Sequence, residues 1–207
     1  DSPVTIRENE ASVMEHAFSE GHMKPEIPEI RSGKKVAVIG SGQAGLAVAN
    51  LLYQNGHLLV VYEKSSSIGG LLRYGIPDFK LNKNVVQRRV DLMRAEGVEF
   101  VTNTEIGKDI KGKDLIQEYD AICIAIGSQV PRNLSLEGRD LKGVHFAMEY
   151  LTMQNKLVAG ENVAEEELIN AKGKNVLVIG GGDTGSDCIG TANRQGAARI
   201  IQIEILP

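Results

Sequence analysis

From Lys35 onward the chain alternates short apolar runs with stretches in which apolar side chains recur every three or four positions, and a glycine closes most segments. The apolar runs predict strands over 35–39, 58–62 and 98–102, with "AICIAIG" at 121–127 as a further strand. The helical spacing predicts helices over about 44–55, closed by Gly56, over about 83–96, closed by Gly97, and over about 145–157. A last strand, helix and strand fill 175–203. Strands that are apolar on both faces, such as "VAVIG", suit a parallel sheet covered by helices on each side, so the alternation reads as βαβ units of an α/β fold. Ahead of them, Thr5 and Glu8 have capping-box spacing, and Ile6, Val13, Met14, Ala17 and Phe18 share one helical stripe that Gly21 ends. This predicts a helix over about 6–20, followed by a linker, "HMKPEIPEIRSGKK", with two prolines and mixed charge.

The phrase "KKVAVIGSGQAG" at 34–45 returns at 174–185 as "KNVLVIGGGDTG", which sets Gly40 on Gly180, Gly42 on Gly182 and Gly45 on Gly185 at a constant offset of 140. In a G-x-G-x-x-G turn between strand and helix, the first glycine permits a sharp exit, the second lets a pyrophosphate approach the backbone, and the third lets helix and strand pack closely. The helix start offers free N–H groups and a positive dipole end to the phosphates. Each copy then runs through a helix to a second strand that ends in an acid: Glu63, 18 residues past Gly45, and Glu204, 19 residues past Gly185. Such a carboxylate accepts hydrogen bonds from ribose hydroxyls. The candidate residues of the first site are Gly40, Ser41, Gly42, Gln43, Ala44, Gly45 and Glu63, with the adjoining Lys64; those of the second are Gly180, Gly182, Asp183, Thr184, Gly185 and Glu204. Asp183 brings a negative charge to a helix start, so it must point away from the phosphates or bind another part of the ligand. Glu204 favours NADH over NADPH, because it pairs with a free 2'-hydroxyl and repels a 2'-phosphate; Arg194 and Arg199 lie nearby and read as solvated cations.

Two dinucleotide units in one chain imply a fixed redox coenzyme and an exchangeable one, and FAD with NADH or NADPH is the natural pair. Hydride transfer between stacked rings at about 3–3.5 Å is a positioning task. No catalytic triad, paired-carboxylate or metal site is therefore expected, and the four histidines stand singly. The totals agree with this reading. A chain of 207 residues with 42% hydrophobic content can bury a core, and its net charge of −4 without a basic run argues against nucleic-acid or membrane partners. No apolar run nears the roughly 20 residues of a membrane span, so the expected location is cytoplasmic. Cys123 and Cys188 are isolated and read as small buried residues.

Four stretches carry a resemblance: "PVTIRENEASVMEHAFSEG" at 3–21, "IGGLLRYGIPDFKL" at 68–81, "GRDLKGVHFAMEYL" at 138–151 and "VIGGGDTGSDCIGTANRQGA" at 178–197. With them the whole chain resembles the small (beta) subunits of glutamate synthase, within the wider group that includes the flavin-carrying parts of dihydropyrimidine dehydrogenase and of the NADH-dependent ferredoxin:NADP oxidoreductase. The resemblance implies two Rossmann-like units, the first binding FAD and the second NAD(P)H. It assigns Gly42, Ala44, Gly45 and Glu63 to the FAD pyrophosphate and ribose, and sets Gly69, Gly70, Leu71, Leu72, Arg73 and Lys80 along the flavin and its phosphates, the two cations facing phosphate. Ile106 is implied at the adenine and Gly127 at the strand turn that passes the coenzyme. The "E-x-LP" ending resembles the NADH-using branch, and Gln43 stands where the family usually has proline. Family members carry a cysteine-rich region for two [4Fe-4S] clusters ahead of this sequence, and behind it the rest of the nicotinamide domain and a segment completing the FAD domain. The chain thus reads as an internal fragment: residues 1–32 a helix and linker from the tail of the cluster domain, 33–145 an incomplete FAD domain, 146–207 the start of a truncated NAD(P)H domain. The implied function is electron input, from NAD(P)H through FAD and iron-sulfur clusters to the glutamate synthase large (alpha) subunit. Another acceptor, such as ferredoxin or a pyrimidine, or a non-catalytic dinucleotide-binding fragment, are the alternatives.

Overall fold

A helix, α1 (Ile6–Ser19), precedes four strands, β1 (Lys35–Ile39), β2 (Leu58–Tyr62), β3 (Glu99–Val101) and β4 (Ala121–Ile124), in the computed structural model, which describes residues 4–204. All four strands run parallel, in the order β3-β2-β1-β4. The order reverses beside β1, so the carboxyl end of β1 opens onto the crevice where ligands of doubly wound sheets sit. The crossovers are made by α2 (Gln43–Gln54), the single turn α3 (Leu71–Tyr74) with α4 (Lys83–Glu96), and α5 (Gly112–Glu118).

Alternation along the strands builds one core on each face. Val36, Val38, Leu59 and Val61 pack with Leu46, Ala49 and Tyr53 of α2 and Val90 and Met93 of α4. Ala37, Val60 and Tyr62 point the other way, onto Leu115 and Tyr119 at α5. There the Tyr62 and Tyr119 hydroxyls meet at 2.7 Å, and burial raises the pKa of the Tyr119 phenol, keeping it protonated. The α4 bounds are those its sequence signals imply: Asn82 Oδ1 accepts from the Asn84 N–H at 2.9 Å, and Gly97 ends the helix at φ +111°.

The second unit comprises α6 (Ala147–Val158), β5 (Asn175–Ile179), α7 (Asp183–Gln195) and β6 (Arg199–Ile203), with β5 and β6 paired in parallel. Tyr150, Leu151 and Met153 of α6 pack with Val178 and the buried Cys188, while Leu177, Ile179, Ile201 and Ile203 on the opposite face are exposed. Cys123 is only half-buried. Helix α6 starts two residues later than its apolar spacing implies, because Glu149 accepts from the Phe146 N–H at 3.1 Å and fixes the cap there.

One local expectation fails. The capping box at α1 does not form: Thr5 makes no side-chain cap bond, and Glu8 turns outward to Arg7 at 2.7 Å. Helix α1 is held to the rest of the chain by one side chain of α4. Although none of its residues is buried, Arg88 of α4 donates to both Glu15 oxygens at 2.7 and 2.5 Å, and its guanidinium lies 4.1 Å from the Phe18 ring centre. Among the described residues no helix is long and apolar enough to cross a membrane.

Met93, fully buried between α4 and the sheet, sets a test of this core. Met93→Ala should cost about 2–5 kcal/mol in urea unfolding of the full-length protein, whereas Ile116→Ala, on the exposed side of α5, should change stability by about 0.5 kcal/mol or less.

Candidate functional site: twin glycine turns

Each turn is fixed by close backbone contacts. Gly40 has φ +99°, its N–H donates to the Tyr62 carbonyl at 2.8 Å, and a Cβ there would lie 2.5 Å from the Ala125 carbonyl oxygen. Gly180 has φ +120° and donates to Ile203 at 2.9 Å. A Cβ on Gly45 would collide with the Gly40 carbonyl, and one on Gly185 with the Gly180 carbonyl, so the third glycine in each copy is what lets the helix begin directly against the strand.

The middle glycines differ from these. Gly42 (φ −66°, ψ −180°) and Gly182 (φ −73°, ψ −177°) have extended backbones that any residue adopts, and among the described residues a Cβ on either would meet nothing within 4 Å. Neither conformation nor packing within the chain demands glycine at these two helix N-caps. They border open space, with helix N–H groups beside it, which is the shape required for a pyrophosphate to lie on the backbone.

The two acids are equivalent in space though not in spacing. Register pairs Ile39 with Tyr62 and Ile179 with Ile203, so Glu63 and Glu204 each follow the last paired residue of the second strand. The extra residue before Glu204 is absorbed by α7, which has 13 residues against 12 in α2. Glu63 is buried: one oxygen accepts from the Ser41 N–H at 3.1 Å and the Ser41 hydroxyl at 2.5 Å, the other from the Ser65 N–H at 2.9 Å. Glu204 is exposed and accepts from the Gly181 N–H. Each carboxylate thus ties the strand end to the residue after the first glycine of its turn.

The second glycine pair completes the first site. The Gly69 N–H donates to Ser41 Oγ at 3.1 Å, and Gly70, at φ +51°, lies so close to the first turn that a Cβ would be 2.8 Å from Gly42 Cα. Leu71 is exposed and Leu72 half-buried at the start of α3. Gln43 and Ala44, at the start of α2, are exposed beside the opening, and Lys64 donates to Gln129 at 3.0 Å, which ties the end of β2 to the loop holding Gly127 (φ +67°). Ile106 packs half-buried against the Tyr62–Tyr119 core.

The two cations each have a partner within the chain. Arg73 braces the loop, its Nε donating to the Ile68 carbonyl at 2.6 Å and Nη2 to Gln87 at 2.7 Å. Lys80 reaches across to α7, 2.6 Å from the buried Asp187 and 3.8 Å from Asp183; Asp187 raises the pKa of its ammonium. Asp183 is fully exposed and points toward Lys80, while Thr184 next to it is also exposed. Arg194 is not a free cation at the second site, since its guanidinium lies 3.7 Å from the Phe79 ring centre and donates to the Gly190 carbonyl at 3.0 Å. Asp187 and Phe79 escape a motif reading of the sequence, and the link from Ser41 to Glu63 shows only in the fold. Only the recurrence of an acid one turn after Asp183 hints that Asp187 has a partner.

Removing the Glu63 acceptor strands a buried Ser41 N–H, which predicts a loss of about 1–3 kcal/mol for Glu63→Ala in denaturant unfolding, against about 1 kcal/mol or less for the exposed Glu204→Ala.

Comparison with known proteins agrees with this geometry. A family model described as pyridine nucleotide-disulphide oxidoreductase matches residues 34–207. The chain is 50% identical over 202 residues to the glutamate synthase [NADPH] small chain of Bacillus subtilis, covering 98% of this chain and 41% of that one. It is 49% identical over 209 residues to glutamate synthase [NADH] of Saccharomyces cerevisiae, covering 100% of this chain and 10% of that protein. The chain therefore spans less than half the length of these relatives. Among solved structures, Mycobacterium tuberculosis FprA in complex with NADPH superposes with a TM-score of 0.69 at 20% identity, over 82% of this chain and 43% of that one, which is a likeness of fold. By the family model and the twin turns that it spans, the chain belongs to the pyridine nucleotide-disulphide oxidoreductases.

Proposed function

We propose that this chain is the coenzyme-binding part of the electron-input subunit of a glutamate synthase, with FAD on the first glycine turn and NAD(P)H on the second. One observation carries the proposal: at Gly42 and Gly182 the backbone is bare toward open space, although nothing among the described residues requires glycine there. When bound, FAD would supply acceptance of a hydride from reduced nicotinamide and delivery of electrons one at a time. The chain's own contribution is binding and orientation. Gly42, Ala44 and Gly45 offer the start of α2 to the FAD pyrophosphate, and Glu63, held by Ser41, offers its remaining acceptor capacity to the ribose. Gly182, Thr184 and Gly185 do the same at the start of α7 for the nicotinamide coenzyme.

In the full-length protein the electrons pass onward through iron-sulfur clusters outside this segment to the glutamate synthase large subunit, in the cytoplasm. The identities near 50% to glutamate synthases support this route. NADH is the preferred donor: Glu204, anchored at the strand end by the Gly181 N–H, presents a carboxylate where a 2'-phosphate would have to lie.

Two substitutions in the full-length protein separate the sites. Gly42→Leu should purify without flavin absorbance. Gly182→Leu should keep its flavin but no longer be bleached by NADH. Undiminished flavin in the first variant refutes the FAD assignment. The donor preference is tested separately: Glu204→Arg should lower the KM for NADPH and raise that for NADH, each by about tenfold or more, and an unchanged ratio refutes the role given to Glu204.

A further inference from the structure

The segment from Ser66 to Lys80 touches both units. At one end Gly69 and Gly70 lie on the first glycine turn. At the other, the segment is stitched to the second unit: the buried Asn155 of α6 donates to the Tyr74 carbonyl at 2.9 Å, the Tyr74 hydroxyl donates to Glu161 at 3.0 Å, and Phe79 packs so closely on Gly190 of α7 that a Cβ there would come within 2.6 Å of its ring. Lys80 ends this seam, on the first turns of α7.

That position matters because of the charges beside it. Asp183 and Asp187 lie one turn apart at the same helix start, and both oppose an anion arriving there. Asp183 is fully exposed and is screened by water; Asp187 is buried, and its field is not. Lys80, 2.6 Å from Asp187 and 3.8 Å from Asp183, lies beside both acids.

We infer that Lys80 is a positioning residue for the second coenzyme: contributed by the FAD unit, it neutralises Asp187 and Asp183 so that the pyrophosphate meets helix N–H groups without a carboxylate excess. The inference rests on reading the second glycine turn as a nucleotide site. It makes that site depend on a residue from the first unit, and it gives Lys80 a duty different from facing the FAD phosphates.

The test is calorimetric titration of the full-length protein with ADP-ribose, the part of NADH that the turn would hold, alongside flavin content and melting temperature. Lys80→Met should weaken ADP-ribose binding about tenfold or more with flavin content unchanged, and Lys80→Arg should retain affinity. Adding Asp187→Asn to Lys80→Met removes the uncompensated charge and should restore most of the lost affinity, even where the melting temperature stays low. Wild-type affinity in Lys80→Met overturns the inference. So does a double variant as weak as the single one, which would make the pair a purely structural latch, or a loss of flavin with ADP-ribose affinity intact. Gly182→Leu serves as the control: if it binds ADP-ribose as wild type does, the reading of the second turn fails, independently of Lys80.

Discussion

A helix that starts directly against the end of a strand is the constraint from which the rest of this structure follows. It forces the Gly45 Cα onto the Gly40 carbonyl and the Gly185 Cα onto the Gly180 carbonyl, contacts that no side chain survives. In exchange the first N–H groups of α2 and α7 are left unpaired and facing outward at the carboxyl edge of the sheet. Once the helix must begin there, the second strand must end beside it, and an acid at that strand end lies within reach of the turn.

The two copies answer this constraint with different degrees of closure. In the first, Glu63, Ser41 and the Gly69 N–H form a buried chain of hydrogen bonds, and Gly70 lies directly over Gly42. Such a network rigidifies a loop because every member loses a partner if one moves. In the second, Gly181, Gly182 and Glu204 are all exposed. A closed, pre-organised cradle suits a coenzyme that stays, and an open one suits a coenzyme that arrives and leaves with each turnover.

What could be read from the sequence was whatever depends on near neighbours along the chain. Glycine spacing and the α4 caps at Asn82 and Gly97 are local signals, and they match the structure, whereas the apolar run 121–127 forms a strand only over Ala121–Ile124. The α5 helix was not foreseen, because seven residues, "GKDLIQE", hold a single buried apolar side chain, Leu115, and so carry no period. The constant offset of 140 between glycines breaks by one residue at the acids, and only strand register shows that Glu63 and Glu204 are equivalent. The capping box at Thr5 failed for the opposite reason: its spacing is right, but the exposed Glu8 has Arg7 as a nearer partner. The partners of Arg73 and Lys80 within the chain, Gln87 and Asp187, are set by tertiary packing that no local pattern encodes.

The seam between the units explains why a motif as long as "GGLLRYGIPDFKL" should be specific. Its glycines must clear the first turn, Tyr74 must present its carbonyl to Asn155, and Phe79 must find a glycine, Gly190, on the facing helix. A glycine inside α7 weakens that helix by about 1 kcal/mol relative to alanine, a cost offset by the ring that packs where a Cβ would lie. Arg194 of α7 covers the ring and Lys80 pairs with Asp187 of the same helix, so this segment ties the first turn to the second unit. Hydride transfer between two separately bound rings tolerates little error in that placement, since a displacement of about 1 Å lowers the rate by about two orders of magnitude. Under the proposed function, the residues that would carry this requirement are those of the seam, remote in sequence from the glycine turn of the second unit.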